Sequence, residues 1–271
     1  MTDIELAHLL ADAADVITLS AYVSDDLLVS TKPDGSVVTR ADWEAEDEIR
    51  RLVTEYAPFD GVLGEERGRQ GGDVRRWIVD PVDGTSSFAS GHPEWATMLA
   101  LEVAEVLEAA VVSSPALARR WWATRGGGAW GEPLPREPVD PSPMKVSMVD
   151  TPGMARVAVW PPSERLTGPH AELARAFREV AAAAAGDLRG AHVKPTRDTG
   201  FPNASVLVAA GALDGFLLSG GGPWDLAAPA LLVEEAGGRF SDLAGGRSLG
   251  TGAGLFTNGA LHDDLLGWCH A

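Results

Sequence analysis

Hydrophobic residues return at helical spacing through the first stretch of the chain, at Ile4, Leu6, Leu9, Leu10, Ala13, Ile17 and Ala21. That period predicts a packing helix over residues 3–28, and Thr2 with Glu5 offers a capping box at its start. Pro33, Asp34 and Gly35 mark a turn. Val37 and Val38 follow as a short extended piece, and Thr39 caps a second helix over residues 41–56. Residues 61–66 read as a short strand ending in paired glutamates, before a polar, glycine-bearing loop over residues 67–73. Trp77, Ile78 and Val79 form an apolar run that predicts a buried strand, and it leads straight into Asp80 and Asp83. Gly84, Thr85 and Ser86 then make a turn suited to opening a helix.

Sheet-like runs occupy residues 95–103, 107–113 and 120–123, closed by the glycines and Trp130 of residues 126–130. Trp121 and Trp122 could serve as ligand platforms, although aromatic residues in such strands are more commonly core. Pro133, Pro135, Pro138, Pro141 and Pro143 make residues 131–143 the linker candidate. Beyond it the pattern alternates. Strands are predicted at 156–160, 191–194, 216–219 and 255–257, with Phe240 in another. Helices are predicted at 169–185 and 203–211, from Trp224 to a glycine end at Gly237 and Gly238, and from Ala260 onward. No internal repeat is present.

Composition narrows the picture. With 271 residues, 45% of them hydrophobic, the chain can bury a core that needs no disulfide or structural metal. The single cysteine, Cys269, excludes an internal disulfide framework and a cysteine-rich zinc site. A formal net charge of −17 with no visible basic patch argues against nucleic acid or an anionic membrane as partner. The opening residues carry no basic n-region or apolar signal core, and no run approaches the roughly 18 apolar residues of a membrane span. A cytoplasmic protein is expected.

Some of the negative charge recurs where elements begin or end, at Asp42, Glu65, Asp80, Asp83 and Asp225. Each has a structural explanation. Asp42 can stabilise the positive end of a helix, paired surface glutamates are common, and a simple N-cap accounts for Asp225 nearly as well as a metal does. Together they suit two cations, which need about this many hard oxygen ligands beside waters and a substrate phosphate. Cysteine and histidine are missing from these stretches, so Mg²⁺ is preferred to zinc. A helix opening at Thr85 would aim backbone N–H groups at the same spot, which suits a phosphate.

Three stretches carry a resemblance: Gly64-Glu65-Glu66, the run from Asp80 through Asp83, Gly84 and Thr85 to Phe88, and Trp224-Asp225 through Gly238. Their order and spacing are similar to those of the inositol monophosphatase family, magnesium-dependent and typically lithium-sensitive phosphomonoesterases. The tryptophan-rich residues 114–130 look most like the actinobacterial histidinol-phosphate phosphatase branch. The resemblance implies a layered α/β/α/β/α sandwich of the sugar-phosphatase type. Residues 1–143 would form an α+β metal-binding half, and residues 144–271 an α/β half completing the active site.

It also implies roles. Glu65, Asp80 and the Val82 carbonyl would hold one Mg²⁺. Asp80, Asp83 and Asp225 would hold a second, and Glu66 would support a metal-bound water, with a third ion near the Asp34 loop. Thr85, hydrogen-bonded to Asp42, would orient the attacking water, and amides of Gly84, Thr85 and Ser86 would bind phosphate. The family pattern has Asn where this chain has Ser87. Larger departures fall at the substrate-reading positions, Arg197 and Leu218, the latter where relatives commonly carry an acid. The expected substrate is a small phosphate ester, with L-histidinol phosphate first. An inositol or sugar phosphate and a nucleoside or aminocyclitol phosphate follow, and the resemblance implies a homodimer. A non-catalytic phosphate-binding relative is the reading from a different class, and a purely structural acidic protein a third.

Overall fold

The run Trp77–Val79 turns out to be the middle of a longer strand around which the first part of the chain is built. A computed structural model describes residues 1–24, 26–33, 35–134, 140–161, 167–185, 194–195 and 204–270. The chain divides into two units, Met1–Ser142 and Pro143–Ala271.

The first unit contains helix α1 (Asp3–Tyr22), the hairpin β1 (Val29–Thr31) and β2 (Val37–Thr39), and helix α2 (Arg40–Tyr56). Strands β3 (Gly61–Gly64), β4 (Gly68–Gln70) and β5 (Arg75–Asp83) lead to the short helix α3 (Thr85–Ala89). Strands β6 (Ala96–Val103), β7 (Val106–Ser114), β8 (Arg119–Thr124), β9 (Gly128–Pro133) and β10 (Ser142–Pro143) follow. The sheet order is β10-β9-β8-β7-β6-β5-β3-β4.

Alternation explains how this sheet is packed. Trp77 and Val79 of β5, Leu99 and Leu101 of β6, and Ala109 and Val111 of β7 are paired in register and share one face. That face packs against Leu6, Leu10 and Ala14 of α1 and Ala45, Ile49 and Val53 of α2. Burying each large aliphatic side chain of the layer contributes roughly 1.5–3 kcal/mol. The intervening residues Ile78, Ala100, Ala110 and Val112 are buried too, which is why the strands read as continuous apolar runs.

Two sequence boundaries shift. Helix α1 stops at Tyr22 rather than at residue 28, where the Ser24 hydroxyl accepts the Asp26 N–H and competes with the helix ladder. Residues 126–130 were expected to close the sheet, but Gly126 makes a turn at φ 70° and the chain returns as β9. Trp122 packs on the core with its ring 5.1 Å from that of His8, the core outcome expected for it.

The second unit comprises β11 (Val157–Trp160), α4 (Pro169–Ala185), β12 (Lys194–Pro195), α5 (Ala204–Ala209), β13 (Gly215–Ser219), α6 (Pro223–Glu235), β14 (Arg239–Ser241), β15 (Ala253–Thr257) and α7 (His262–Trp268). Its sheet runs β12-β11-β13-β15-β14, with β11 parallel to β12 and β13 and the rest antiparallel. Helices α4 and α7 cover one face through Phe177, Ala181 and Leu265 on Val157, Val159 and Leu217. Helices α5 and α6 lie against the other, where Phe216, Phe256 and Phe240 stack in series. The strand expected at 191–194 lies largely outside the described residues. No helix among the described residues is long and apolar enough to cross a membrane.

Candidate active site

In a regular strand, residues three apart point to opposite faces, so Asp80 and Asp83 should diverge. They do not. The ladder between β5 and β6 is regular up to Asp80 opposite Met98 and resumes at Asp83 opposite Ala96. Three residues on β5 therefore match two on β6, a β-bulge. Pro81 has no N–H to give to a ladder, which places the irregularity there, and the buried Thr97 hydroxyl donates to the Pro81 carbonyl at 2.8 Å. The extra residue re-aims Asp83, and carboxylate oxygens of Asp80 and Asp83 come within 4.8 Å of one another. Asp80 is fixed by the Val82 N–H, which donates to its Oδ1 at 3.0 Å.

Gly84 leaves the strand at φ 85°, a left-handed conformation that only glycine adopts without strain. Its carbonyl accepts the N–H groups of Ser87 and Phe88 as α3 begins. Helix geometry leaves the amides of Gly84, Thr85 and Ser86 without an intrahelical acceptor. Phe88 anchors this short helix in a ring cluster with Trp95 and Tyr22, centroids 4.9–5.7 Å apart.

Asp42 is fully buried in the first turn of α2. Its Oδ2 accepts the Thr39 N–H at 2.9 Å and the Thr39 hydroxyl at 2.5 Å, and its Oδ1 lies 3.1 Å from the Thr85 hydroxyl. The Thr85 hydroxyl is also 3.0 Å from the Val82 carbonyl, so its one proton is shared between two acceptors. Burial raises the Asp42 pKa, against the hydrogen bonds from Thr39 and Thr85. Asp42 is thus more than a helix-end acid, because it ties α2 to the turn that follows β5.

Glu65 and Glu66 follow β3 directly. The Lys32 ammonium, at the turn of the β1–β2 hairpin, donates to Glu65 at 2.9 Å and to Glu66 at 2.5 Å. Burial works against the Lys32 charge, but its bonds to Glu66 and Glu65 outweigh that and raise its pKa. Burial raises the Glu66 pKa, opposed by Lys32 and reinforced by Glu65. Sequence reasoning missed Glu46, whose buried carboxylate accepts the N–H groups of Glu66 and Arg67. The one signal in the sequence was its place, one helical turn after Asp42 on the same face, which an acid facing solvent would share.

In the second unit, Asp225 is the third residue of α6, not its N-cap, which is Gly222. Its Oδ2 accepts the Gly222 N–H at 2.5 Å, so the side chain reaches back over the helix start. Pro229 has no N–H to donate to the Asp225 carbonyl four residues earlier. A side chain at Gly222 would strike the Trp224 ring, and one at Gly221 would press on Leu218 and Asp225. Leu218 itself is buried. Arg197 and Asp34 lie outside the described residues.

The donors gathered at the β5 bulge are hard carboxylate oxygens and a backbone carbonyl, a set that fits Mg²⁺ better than a softer metal. Asp80 and Asp83 could hold a metal ion. Amides directed at the same turn suit an anion. The arrangement can place a hydroxyl and a buried carboxylate beside both.

A family model described as the inositol monophosphatase family matches residues 3–268. The chain is 38% identical to a histidinol-phosphatase of Streptomyces coelicolor, over 99% of this chain and 97% of that protein. It is 35% identical to an inositol-1-monophosphatase of Mesorhizobium japonicum, over 83% of this chain and 79% of that protein. Among solved structures, the extragenic suppressor protein suhB of Bartonella henselae matches with a TM-score of 0.81 at 28% identity, across 98% of this chain and 97% of that one.

Proposed function

The chain belongs to the inositol monophosphatase family, and from that premise we propose that it hydrolyses L-histidinol phosphate with water activated by Mg²⁺. It has the inositol monophosphatase fold, and it is a phosphatase, a phosphoric monoester hydrolase. The observation that carries the catalytic reading is the contact of Thr85 with the buried Asp42, beside the Asp80–Asp83 pair at one strand bulge.

In this reading Glu65, Asp80 and the Val82 carbonyl would hold one ion. Asp80, Asp83 and Asp225 would hold the other, and Glu66 would orient a water. Bound there, Mg²⁺ would lower the pKa of water and offset charge on the attacking and leaving oxygens. The amides of Gly84, Thr85 and Ser86 grip the phosphate. The Thr85 hydroxyl accepts a hydrogen bond from the attacking water, and Asp42 accepts the Thr85 proton and so aims its lone pair. No covalent phosphoenzyme is needed.

The substrate ranking rests on the relative named histidinol-phosphatase. One observation favours a second reading: Leu218 is buried and apolar beside Gly221 and Asp225, which offers no charge to an amino group and leaves an inositol, sugar or nucleoside phosphate as the alternative. Phosphate release from histidinol phosphate, inositol 1-phosphate, nucleoside monophosphates and sugar phosphates, with Mg²⁺ and with EDTA, tests both. A Mg²⁺-dependent preference for histidinol phosphate is expected. Preference for another ester keeps the mechanism and replaces the substrate. If Mg²⁺ binds and no member of the panel is hydrolysed, the non-catalytic phosphate-binding alternative gains.

A further inference from the structure

Resting on that phosphatase reading, we propose that Glu46 is a positioning residue: its buried carboxylate fixes the backbone carrying Glu65 and Glu66, and so sets the affinity of the site for its cation. Glu46 stands four residues after Asp42 on α2, on the same face of the helix. It is 0% exposed. Its Oε2 accepts the Glu66 N–H at 2.8 Å, and its Oε1 accepts the Arg67 N–H at 3.1 Å. Arg50 completes the set, donating to Oε1 from Nε at 2.8 Å and Nη2 at 2.6 Å.

A carboxylate taken wholly out of water is costly unless paired and hydrogen-bonded, and here both conditions are met. Arg50 in turn reaches the Gly68 carbonyl at 2.5 Å and Gln70 at 3.1 Å. The brace therefore runs from α2 to both sides of the turn between β3 and β4. Gly64 shows how close the fit is. A Cβ there would run into the Glu46 carboxylate, immediately before Glu65 in the chain. The glutamate pair is held twice, by Glu46 at its backbone and by Lys32 at its carboxylates. One face of α2 thus positions both groups, Asp42 acting on Thr85 and Glu46 on the Glu66 amide. Glu46 acts through others: its carboxylate is engaged by Arg50 and the two amides.

Partners of this outer kind typically change metal affinity or activity by about 10- to 100-fold when lost. The experiment is a Mg²⁺ titration of the wild type, Glu46→Gln and Glu46→Asp, followed by calorimetry and by melting temperature without substrate, then by phosphate release. Glu46→Gln is expected to raise the Mg²⁺ midpoint about tenfold or more in all three readouts, with most of kcat recovered at saturating Mg²⁺. An unmoved midpoint with a lowered melting temperature assigns Glu46 to stability alone and overturns the proposal. If the Gln variant does not fold, Glu46→Asp keeps the charge for Arg50 but is too short to reach both amides. The same rise is expected from it, and an unmoved midpoint is equally fatal. A wild type with no Mg²⁺ response in any readout overturns the metal reading itself, a result distinct from either.

Discussion

Asp42 can be read from the sequence as an acid in a helix's first turn, but its burial cannot. Only the return of Thr85 over 43 positions of chain separates a buried partner of that hydroxyl from a solvent-facing cap. The motif residues were legible because their order is distinctive. Glu46 was not, because an acid on an amphipathic helix looks the same whether it faces solvent or an amide. The role of the Asp42–Thr85 contact can be tested at one atom. Thr85→Ala removes the hydroxyl and is expected to lower kcat about 100-fold or more, the usual scale of a positioned proton-transfer group. Thr85→Ser, which retains the hydroxyl, is expected to recover most of that loss. Equal activity in Thr85→Ala and wild type at saturating Mg²⁺ would remove the threonine from the mechanism.

At the scale of elements, continuous apolar runs were enough to find β5, β6 and β7, yet the pleat of a regular strand points Asp80 and Asp83 apart. Pro81 was the visible clue that the ladder must break, and what the break accomplishes appears only in the pairing with β6. Helix ends were harder. The start of α1 carried a capping box, and its Thr2 and Glu5 bonds are present, whereas its end has neither glycine nor proline to announce it. The bulge itself makes a prediction. Thr97 is buried, and its hydroxyl satisfies the Pro81 carbonyl. Thr97→Val keeps the shape and strands that acceptor, so denaturant unfolding is expected to show a loss of about 1–3 kcal/mol. The Mg²⁺ midpoint should rise as well, because the bulge is what brings the two aspartates together. A stability loss with an unchanged midpoint would mean that the bulge holds its shape without this bond.

For the molecule as a whole, the formal charge of −17 invites the expectation that acid should relieve repulsion and stabilise the fold. Buried groups pull both ways. Burial raises the pKa of Asp15 against the pull of Arg120, and likewise that of Asp42 and Glu66. For these the folded state binds the proton more tightly, so their penalty shrinks as pH falls. His262 has the opposite sign. It is buried between the Thr257 and Ser241 hydroxyls at 2.9 Å each, and burial, with Arg239 nearby, pushes its pKa down to about 4, while Asp263 pulls the other way. Between that value and the ordinary 6.5 the unfolded chain binds a proton that the folded chain refuses. Stability from this group is therefore complete above pH 6.5 and is lost as pH falls toward 4. The net profile of the protein mixes these slopes, so the difference between two chains is the informative quantity. Relative to His262→Gln, which can still bond both hydroxyls, the wild type is expected to lose about 2 kcal/mol between pH 7 and pH 5. Urea unfolding at several pH values, in EDTA so that metal linkage does not intrude, measures that difference. Parallel curves for the two chains would mean that the imidazole takes up its proton in the folded state at its ordinary pH, and that the hydroxyls around it can rearrange to accept the charge.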